Sequence, residues 1–396
     1  MHPQNQSFTT MVSQLTGHLD EYAIPYTIVG CAGLVLLGVE LRCADSVDVL
    51  IQWDQLQTAH TRFGSYNPGT LEKGPREAGF SFLFHTLRVR VRCEYNTVIV
   101  TDPDRSGVNF AKQTLWVRSI DSYSRDHTLP DAWRQSVEMR LQSMQSSMNA
   151  QNRAAWTHNS AYAAWTSRYG TPREAAARIQ KDPQTRLSPL GGYLGELQGQ
   201  RVLNLLGSHG GKAVAMAILG ASVTVVDISS ENARYASELA EAAGVAINYI
   251  VADVLELTQE QRSQDYDAVV MELGILHYFI DLAPLARVVA DTLRKGGRLV
   301  LHDFHPVSTK LIASRGSKHK VVGNYFSSAL EETDVAYSKY VEHSGQKVRL
   351  RKWTMGEIVT AFANADLRVL LLHEEPNHKI DDIGIPKTFT LIAEKL

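Results

Sequence analysis

The chain has 396 residues, which is long enough for two or more domains with a large buried core. Its formal charge of −2 provides no global attraction to nucleic acid or to an anionic membrane. Three cysteines, Cys31, Cys43 and Cys93, are too few for a disulfide framework or a zinc cluster and suggest free thiols in a reducing compartment. Because the longest apolar run, Tyr26–Val39, is too short to span a bilayer and the N-terminus lacks a signal-peptide pattern, we predict a cytoplasmic protein.

Residues 1–130 alternate between predicted helices and strands. The spacing of apolar residues predicts a helix over Phe8–Glu21, a strand over Tyr26–Val29, a glycine turn and short helix over Gly30–Gly38, and a strand over Asp45–Ile51. This succession resembles the nucleotidyltransferase fold, in which the glycine turn precedes a strand that carries Asp-x-Asp. The resemblance implies an α+β domain in this part of the chain.

The acids that hold divalent metal in that family are mostly replaced here. Asp48 matches the second acid, but Ser46 stands at the first. The strand Leu87–Glu94, where the family would place its third acid, carries arginines that share one face by period-two alternation (Arg88, Arg90 and Arg92). Arginines repel Mg²⁺, so we predict a degenerate nucleotidyltransferase-like module without metal. Its arginines either bind an anionic group such as a phosphate or form a solvated sheet face.

Residues 131–154 predict a helical connector rich in Gln, Ser and Met. In the next stretch, Ala155–Tyr169, residues Trp156, Asn159 and Tyr162 stand three apart, with Trp165 following, which predicts one side of a helix. This pattern resembles the helix that precedes the cofactor domain of small-molecule methyltransferases, where Tyr162 matches the tyrosine that touches the cofactor. The alternative is an aromatic stripe packed in a core.

Residues 155–396 show alternating strands and helices typical of a doubly wound α/β domain. The predicted strands are Val202–Leu206, Val223–Asp227, Ile247–Val251, Ala268–Glu272, Arg298–His302, Arg368–His373 and Thr388–Glu394, and the predicted helices include Ser230–Ala243, Leu282–Arg294 and Thr354–Ala365. With its closing strand pair, this segment resembles the class I S-adenosylmethionine (SAM)-dependent methyltransferases. The resemblance implies a Rossmann-like seven-stranded fold that binds SAM.

The first strand, glycine turn, helix and second strand ending on Asp227 form a nucleotide-binding βαβ pattern, in which the acid can accept both ribose hydroxyls. The methyltransferase motif is usually Asp-x-Gly-x-Gly-x-Gly. Here Gly210 matches the last glycine, Ser208 and Leu206 replace the other two, and Asn204 replaces the acid. The resemblance implies cofactor contacts from Tyr162, Asn204, Gly207, Ser208, Gly210, Asp227, Ile228, Asp253, Val254 and Glu272, with Asp253 recognising the adenine amino group.

Candidate catalytic residues follow the fourth and fifth predicted strands. The carboxyl ends of such strands form the ligand crevice of α/β sheets. A histidine near neutral pKa is a natural base for a hydroxyl or protonated nitrogen acceptor. We therefore expect His277 or His305 to act as the base, with Asp303 orienting or charging the imidazole. The alternative is that both histidines are structural.

Together these patterns predict SAM-dependent methyl transfer to nitrogen or oxygen of a small-molecule acceptor, with residues 1–130 serving substrate recognition or dimer formation. Three alternatives stay open: nucleotidyl transfer by the first domain, methylation of nucleic acid, and a SAM-binding sensor without activity. Ser46 and the arginine strand argue against the first, and the lack of an interleaved basic and aromatic run argues against the second. The acceptor and the oligomeric state cannot be read from the residues.

Overall fold

The computed structural model describes residues 3–42, 46–315, 318–342, 345–377 and 384–396, and it divides the chain into two compact units, residues 1–143 and 144–396. Cys43 and Asp45 lie outside the described residues. Cys31 is disulfide-bonded, so the prediction of free thiols is wrong for that residue, whereas Cys93 is a buried free cysteine. Within the described ranges, no helix combines the length and apolar character needed to cross a membrane.

The first unit contains a seven-stranded mixed sheet. Its strands are β1 (Tyr26–Val29), β2 (Ser46–Ile51), β3 (Glu72–Lys73), β4 (Glu77–Phe84), β5 (Leu87–Glu94), β6 (Arg105–Phe110) and β7 (Gln113–Arg118), in the order β3-β4-β5-β2-β1-β7-β6. Its helices are α1 (Pro3–Asp20), α2 (Gly30–Leu36), α3 (Leu56–Arg62) and α4 (Ile120–Ser124), and α5 (Asp131–Trp156) runs across the division between the units. Strand β2 is parallel to β5, and β1 is parallel to β7, while the other pairs are antiparallel.

Strand β5 shows the predicted alternation. Its leucine, valines and cysteine are buried and its arginines are exposed or half-buried. Arg90 lies opposite Asp48 in the β2–β5 register, and its Nε atom is 2.5 Å from Asp48 Oδ1. Arg92 Nη1 is 3.3 Å from Glu77 Oε2. The arginine face of this sheet is therefore partly neutralised by its own acids.

The second unit is built on a seven-stranded sheet with helices on both faces. Its strands are β8 (Arg201–Leu205), β9 (Ser222–Asp227), β10 (Asn248–Val251), β11 (Tyr266–Glu272), β12 (Leu293–Phe304), β17 (Leu367–Pro376) and β18 (Pro386–Lys395), with two separate hairpins formed by β13 (Ile312–Arg315) with β14 (Lys318–Val321) and by β15 (Leu330–Asp334) with β16 (Lys347–Arg351). The helices are α6 (Ser160–Tyr169), α7 (Pro172–Lys181), α8 (Pro183–Leu187), α9 (Gly191–Leu194), α10 (Gly211–Ile218), α11 (Ser230–Ala242), α12 (Ala283–Thr292) and α13 (Met355–Ala363).

The strand order of the second sheet is β10-β9-β8-β11-β12-β18-β17, with β18 antiparallel to both neighbours and the first five strands parallel. This confirms the predicted Rossmann-like seven-stranded α/β fold. The central strands are continuous apolar runs because both faces are covered. On β8, Val202 packs into the core on one face while Leu203 and Leu205 pack into the core on the other.

Several predicted boundaries differ from the structure, and two of these differences concern helices of the second unit. The helix predicted over Ala155–Tyr169 is interrupted after Trp156, and α6 begins at Ser160, where the His158 ring accepts a hydrogen bond from the Ser160 backbone N–H. The helix predicted to end at Arg294 ends at Thr292, because β12 already begins at Leu293 in register with β11. The hairpins between β12 and α13 were not predicted.

Candidate functional site

A cavity of about 800 Å³ lies at the carboxyl ends of the parallel strands in the second unit. The order of the sheet reverses between β8 and β11, which is where doubly wound folds bind ligands. Residues that follow β8, β9 and β11 line it, together with side chains from α5, α6 and α7. The predicted cofactor residues that line it are Asn204, Gly207, Ser208, Asp227, Ile228, Asp253, Val254 and Glu272.

The turn after β8 has the backbone of a glycine-rich turn although two glycines are missing. Leu206 and Ser208 have φ angles of 51° and 50°, and Gly210 has a φ of 74°. These are the three positions where the motif usually carries glycine. A non-glycine residue in this region costs about 1 kcal/mol or more, so the turn is held by its surroundings rather than by residue preference. A Cβ atom at Gly210 would lie 2.5 Å from Cβ of Ala236, so a residue larger than glycine does not fit there without a shift.

Asp227 ends β9 as a buried carboxylate surrounded by neutral donors. Its Oδ2 accepts from the Ser208 backbone N–H at 3.0 Å, and its Oδ1 accepts from the Ser229 N–H at 3.0 Å and from Asn232 Nδ2 at 3.1 Å. Burial raises the pKa of Asp227, and the three hydrogen bonds oppose that rise. The carboxylate thus links the glycine-type turn to the start of α11 and faces the cavity.

Asp253 follows β10 and is also buried at the cavity. Its Oδ1 accepts from the Leu255 backbone N–H at 3.0 Å, and its Oδ2 accepts from the amide of Asn149. Asn204 donates through Nδ2 to the Val270 carbonyl at 3.2 Å. The two acids therefore lie on neighbouring strand ends and share one cavity, as expected for the carboxyl edge of a parallel sheet.

Two predicted cofactor residues do not reach the cavity. The Tyr162 hydroxyl donates to Glu238 at 2.5 Å and its ring packs under the Arg234 guanidinium, so that Tyr162 contacts α11 and is not among the residues that line the cavity. Trp156, Trp165 and Tyr169 supply the aromatic wall instead. Gly210 is absent from the lining because it packs against α11.

Of the predicted catalytic residues, only His277 lines the cavity. Burial lowers the pKa of His277 to about 4, with a smaller opposing effect from the nearby Asp303 carboxylate. Asp303 accepts hydrogen bonds from the backbone N–H groups of Gly274 at 2.6 Å, Ile275 at 3.4 Å and Leu276 at 3.3 Å. It therefore fixes the loop that carries His277 rather than bonding to the imidazole.

His305, the other histidine expected to act as the base, is not among the residues that line the cavity. Its Nδ1 accepts from the Val307 backbone N–H at 3.1 Å, and its Nε2 lies 2.6 Å from Glu374 Oε1. Because Nδ1 accepts, a neutral ring carries its proton on Nε2 and donates it to Glu374. Both ring nitrogens of His305 are therefore engaged, one with the segment that follows β12 and the other with β17.

Several cavity residues were not predicted. His209 packs against the rings of Trp165 and Tyr169, and burial lowers the pKa of His209 to about 3. Lys212, at the start of α10, pairs with Glu272 at 3.0 Å. Lys212 directly follows Gly210 and Gly211, and a charged residue in that glycine turn was a signal that the sequence analysis could have used. Two further lining residues, Lys339 and Tyr340, come from the segment between the hairpin strands β15 and β16. No sequence pattern marked them as cavity residues.

Residues 202–297 match a family model described as "Methyltransferase domain". The 27-O-demethylrifamycin SV methyltransferase of Amycolatopsis mediterranei (strain S699) is 32% identical over 152 residues, 38% of this chain and 52% of that protein. The ubiquinone biosynthesis O-methyltransferase of Xanthomonas euvesicatoria pv. vesicatoria (strain 85-10) is 34% identical over 106 residues, 27% of this chain and 44% of that protein. The chain thus spans about half the length of the curated relatives it matches.

Solved structures with a similar arrangement include an S-adenosylmethionine dependent methyltransferase from Mesorhizobium loti, with 19% identity and a TM-score of 0.43 over 53% of this chain and 98% of that one. Another is the magnesium protoporphyrin IX methyltransferase of Synechocystis PCC 6803 with bound SAH, with 15% identity and a TM-score of 0.41 over 63% of this chain and 99% of that one.

Proposed function

We propose that the second unit is a SAM-dependent methyltransferase that acts on a small-molecule acceptor bound in the cavity at the carboxyl edge of its sheet. The observation that carries the proposal is the joint placement of Asp227, Asp253 and the glycine-type turn 206–210 around that cavity. The match of residues 202–297 to a methyltransferase family supports it. The names of the curated relatives favour oxygen over nitrogen as the methylated atom.

The donor set fits an adenosine cofactor. A carboxylate offers about four acceptor positions, and three neutral donors fill three of them on Asp227, so capacity for a ribose hydroxyl is left on the cavity side. Asp253 in turn suits the amino group of adenine. The apolar side chains of Ile228 and Val254 line the same region and suit the faces of a planar base. The cavity volume of about 800 Å³ lies within the range of about 300–1,000 Å³ for ligand sites.

When bound, SAM supplies a methyl group on a positively charged sulfur, which is already activated for displacement. The chain then has to align the acceptor and exclude water, and the aromatic wall of Trp156, Trp165 and Tyr169 suits that task. His277 is neutral near neutral pH because burial lowers its pKa to about 4, so its ring is available to accept a hydrogen bond from an acceptor hydroxyl. A pKa this low makes it a weaker base than the histidine of near-neutral pKa that the sequence predicted. Asp303 holds the His277 loop in place through backbone hydrogen bonds.

For the rest of the chain we propose a division into residues 1–130, 131–154 and 155–396, with a cytoplasmic location. The first part acts as a degenerate nucleotidyltransferase-like module for substrate recognition or homodimer formation. The Asp48–Arg90 ion pair supports its inactivity, since a carboxylate bound to a guanidinium is a poor ligand for Mg²⁺.

The test is calorimetric titration of the full chain with S-adenosylhomocysteine and, separately, with ATP plus Mg²⁺. We expect saturable binding of the first and no metal-dependent binding of the second. Transfer of a labelled methyl group from SAM to a panel of small phenols and hydroxy compounds then tests activity. A chain that binds neither adenosine ligand, or one that binds only ATP with Mg²⁺, would contradict the proposal.

A further inference from the structure

A row of polar side chains runs along one face of α5 in the part of that helix that belongs to the second unit. Gln145, Asn149, Asn152 and Trp156 are spaced by three or four residues, so they share one side of the helix. Gln145 and Asn152 are buried, although amide side chains are mostly exposed. Gln145 is not among the residues that line the cavity, and the proposed mechanism gives it no role.

The amide of Gln145 binds the loop between β11 and α12, which carries His277. Its Oε1 atom accepts from the Ile280 backbone N–H at 2.6 Å, and its Nε2 atom donates to the Tyr278 carbonyl at 2.9 Å. The same Nε2 atom donates its second hydrogen to Asn149 Oδ1 at 2.7 Å. Because a reversed amide would place N–H against the Ile280 N–H, these three bonds fix the orientation of Gln145.

Gln145 in turn sets the orientation of the Asn149 amide. Since Asn149 Oδ1 accepts from Gln145, Asn149 Nδ2 lies on the other side and donates to Asp253 Oδ2. A reversed Asn149 would place its oxygen against the Asp253 carboxylate and its N–H against the N–H of Gln145. The other oxygen of Asp253 accepts from the Leu255 N–H. The carboxylate therefore receives one donor from its own loop and one from α5.

These bonds form one directed chain, in which the Ile280 N–H donates to Gln145, Gln145 donates to Asn149, and Asn149 donates to Asp253. Hydrogen bonds in such a chain polarise and strengthen one another. The chain joins two loops that the sheet does not align directly, because β9 and β8 lie between β10 and β11 in the strand order. The link between the two loops is thus made by α5.

The loop after β11 is held on both sides of His277. Asp303 accepts from backbone N–H groups at the start of the loop, before His277. After His277, Gln145 binds the backbone, and Trp156 Nε1 donates to the Tyr278 hydroxyl at 3.1 Å. Removing the contact on one side would therefore loosen one half of the loop and leave the other half fixed.

We propose that Gln145 is a positioning residue that fixes two parts of the site together, the Asp253 carboxylate through Asn149 and the loop that carries His277 through its backbone. The inference rests on the proposed function, in which Asp253 accepts from the amino group of adenine. Because Gln145 acts through other groups, its effect is measured at the base of the cofactor and in the loop.

The first measurement compares S-adenosylhomocysteine with S-inosylhomocysteine, in which a carbonyl oxygen replaces the amino group of the base. In calorimetric titration, wild type should bind the adenine ligand at least about tenfold more tightly, because a carbonyl oxygen facing Asp253 leaves two acceptors without a donor. Gln145→Met removes the amide at similar volume and should reduce this preference at least about fivefold. Asn149→Ala, which breaks the same chain one step closer to Asp253, should also reduce it.

The second measurement is amide hydrogen exchange of the full chain without ligand, followed by mass spectrometry on peptides from 277–282. Gln145→Met should speed exchange there at least about fivefold, because the Ile280 N–H loses its acceptor. Asn149→Ala keeps the bonds from Gln145 to the loop and should leave this exchange unchanged. Peptides from β8 report folding in the same experiment. Gln145→Asn, whose side chain is one carbon shorter, replaces the methionine variant if that variant does not fold.

Gln151→Met is the matched control, because Gln151 is a glutamine on the same helix whose Nε2 donates instead to Glu332 on β15 at 3.2 Å. It should leave the base preference and the exchange of the loop unchanged. Equal effects of Gln151→Met and Gln145→Met, or no effect of Gln145→Met on either measurement, would overturn the proposal.

The two measurements also separate this inference from the proposed function. Faster exchange in Gln145→Met with an unchanged base preference would overturn the connection through Asn149 to Asp253. If wild type binds neither nucleoside, the proposed function fails and the positioning of Asp253 fails with it. Faster exchange in Gln145→Met would then still support the hold of Gln145 on the loop, and unchanged exchange would overturn that as well.

Discussion

The two units each contain a seven-stranded mixed sheet, and each has an aspartate where its fold resemblance predicts a ligand-binding acid. In the first unit, Asp48 lies on β2 with the Arg90 guanidinium 2.5 Å away. In the second, Asp227 at the end of β9 is surrounded by two backbone N–H groups and the Asn232 amide. One acid is paired with a cation, and the other is held by neutral donors.

This difference shows that the surroundings of an acid decide what it can bind. A carboxylate neutralised by arginine has little attraction left for Mg²⁺. A carboxylate held by neutral hydrogen bonds keeps its negative charge and its orientation, so it can still accept from ligand hydroxyls. Asp227 also lines a concave cavity that can enclose a ligand, whereas the arginine face of β5 is exposed.

The largest effect is expected from removing the acid that keeps its charge. Asp227→Ala should weaken binding of S-adenosylhomocysteine at least about 100-fold, because it removes charged acceptors and releases the Ser208 turn. Asp48→Ala, the matched change in the other sheet, should leave that affinity unchanged. Calorimetric titration of both variants measures the effects.

Asp227→Asn is the control for folding, since it keeps the side-chain volume and removes the charge. It should also weaken binding, although less than Asp227→Ala. Unchanged affinity in both Asp227 variants, with intact thermal unfolding, would mean that the ligand does not contact this acid.

The fold of the second unit was predictable because its strands are apolar runs separated by turns, and the central strands begin and end within a few residues of the predicted positions. Asp227 and Asp253 were predictable because acids at the ends of parallel strands meet at one edge of the sheet. The positive φ angles of Leu206 and Ser208 were not, since neither residue type favours that conformation.

The misplaced residues share a physical reason. His305 is drawn away from the cavity by Glu374 on β17, and that contact spans 69 positions of the chain. Tyr162 is held against α11 by Glu238 and Arg234, which lie more than 70 positions further along the chain. Contacts between residues so distant in sequence do not show in the spacing of apolar residues along the chain. A helix break next to a single histidine does not show there either.

His277 and His305 give the next test, because only His277 lines the cavity and the proposed function therefore gives them different roles. His277→Ala should lower kcat by about 100-fold or more, as loss of a general base does, with affinity for S-adenosylhomocysteine nearly intact. His305→Ala should leave kcat close to wild type and lower the free energy of unfolding by about 1–3 kcal/mol, because it removes the hydrogen bond to Glu374. Steady-state kinetics and urea unfolding separate the two. A larger loss of kcat in His305→Ala would reverse the assignment.

The lowered pKa of His277 predicts how stability depends on pH. Its pKa is about 4 when folded and about 6.5 when unfolded, so the unfolded chain binds more protons between those values. This difference has no effect well above pH 6.5, where the ring is neutral in both states, and it lowers the free energy of unfolding as pH falls from there toward 4. Between pH 6.5 and pH 5 this group should lower the free energy of unfolding of wild type by about 1.5 kcal/mol, and His277→Ala should lack that loss. Urea unfolding at the two pH values measures it, and an equal loss in both proteins would contradict the buried neutral histidine.

The smallest effect is expected in the first sheet. Arg90 and Asp48 are 57% and 28% exposed, and ion pairs near the surface contribute about 0–1 kcal/mol, so Arg90→Ala should change the free energy of unfolding by less than about 1 kcal/mol. It should also fail to create a Mg²⁺ site, because Ser46 still stands where the first acid would be. Titration of Arg90→Ala with ATP plus Mg²⁺ checks this. Metal-dependent binding in the variant would mean that one arginine alone blocks an otherwise competent site, and the module would then be latent rather than degenerate.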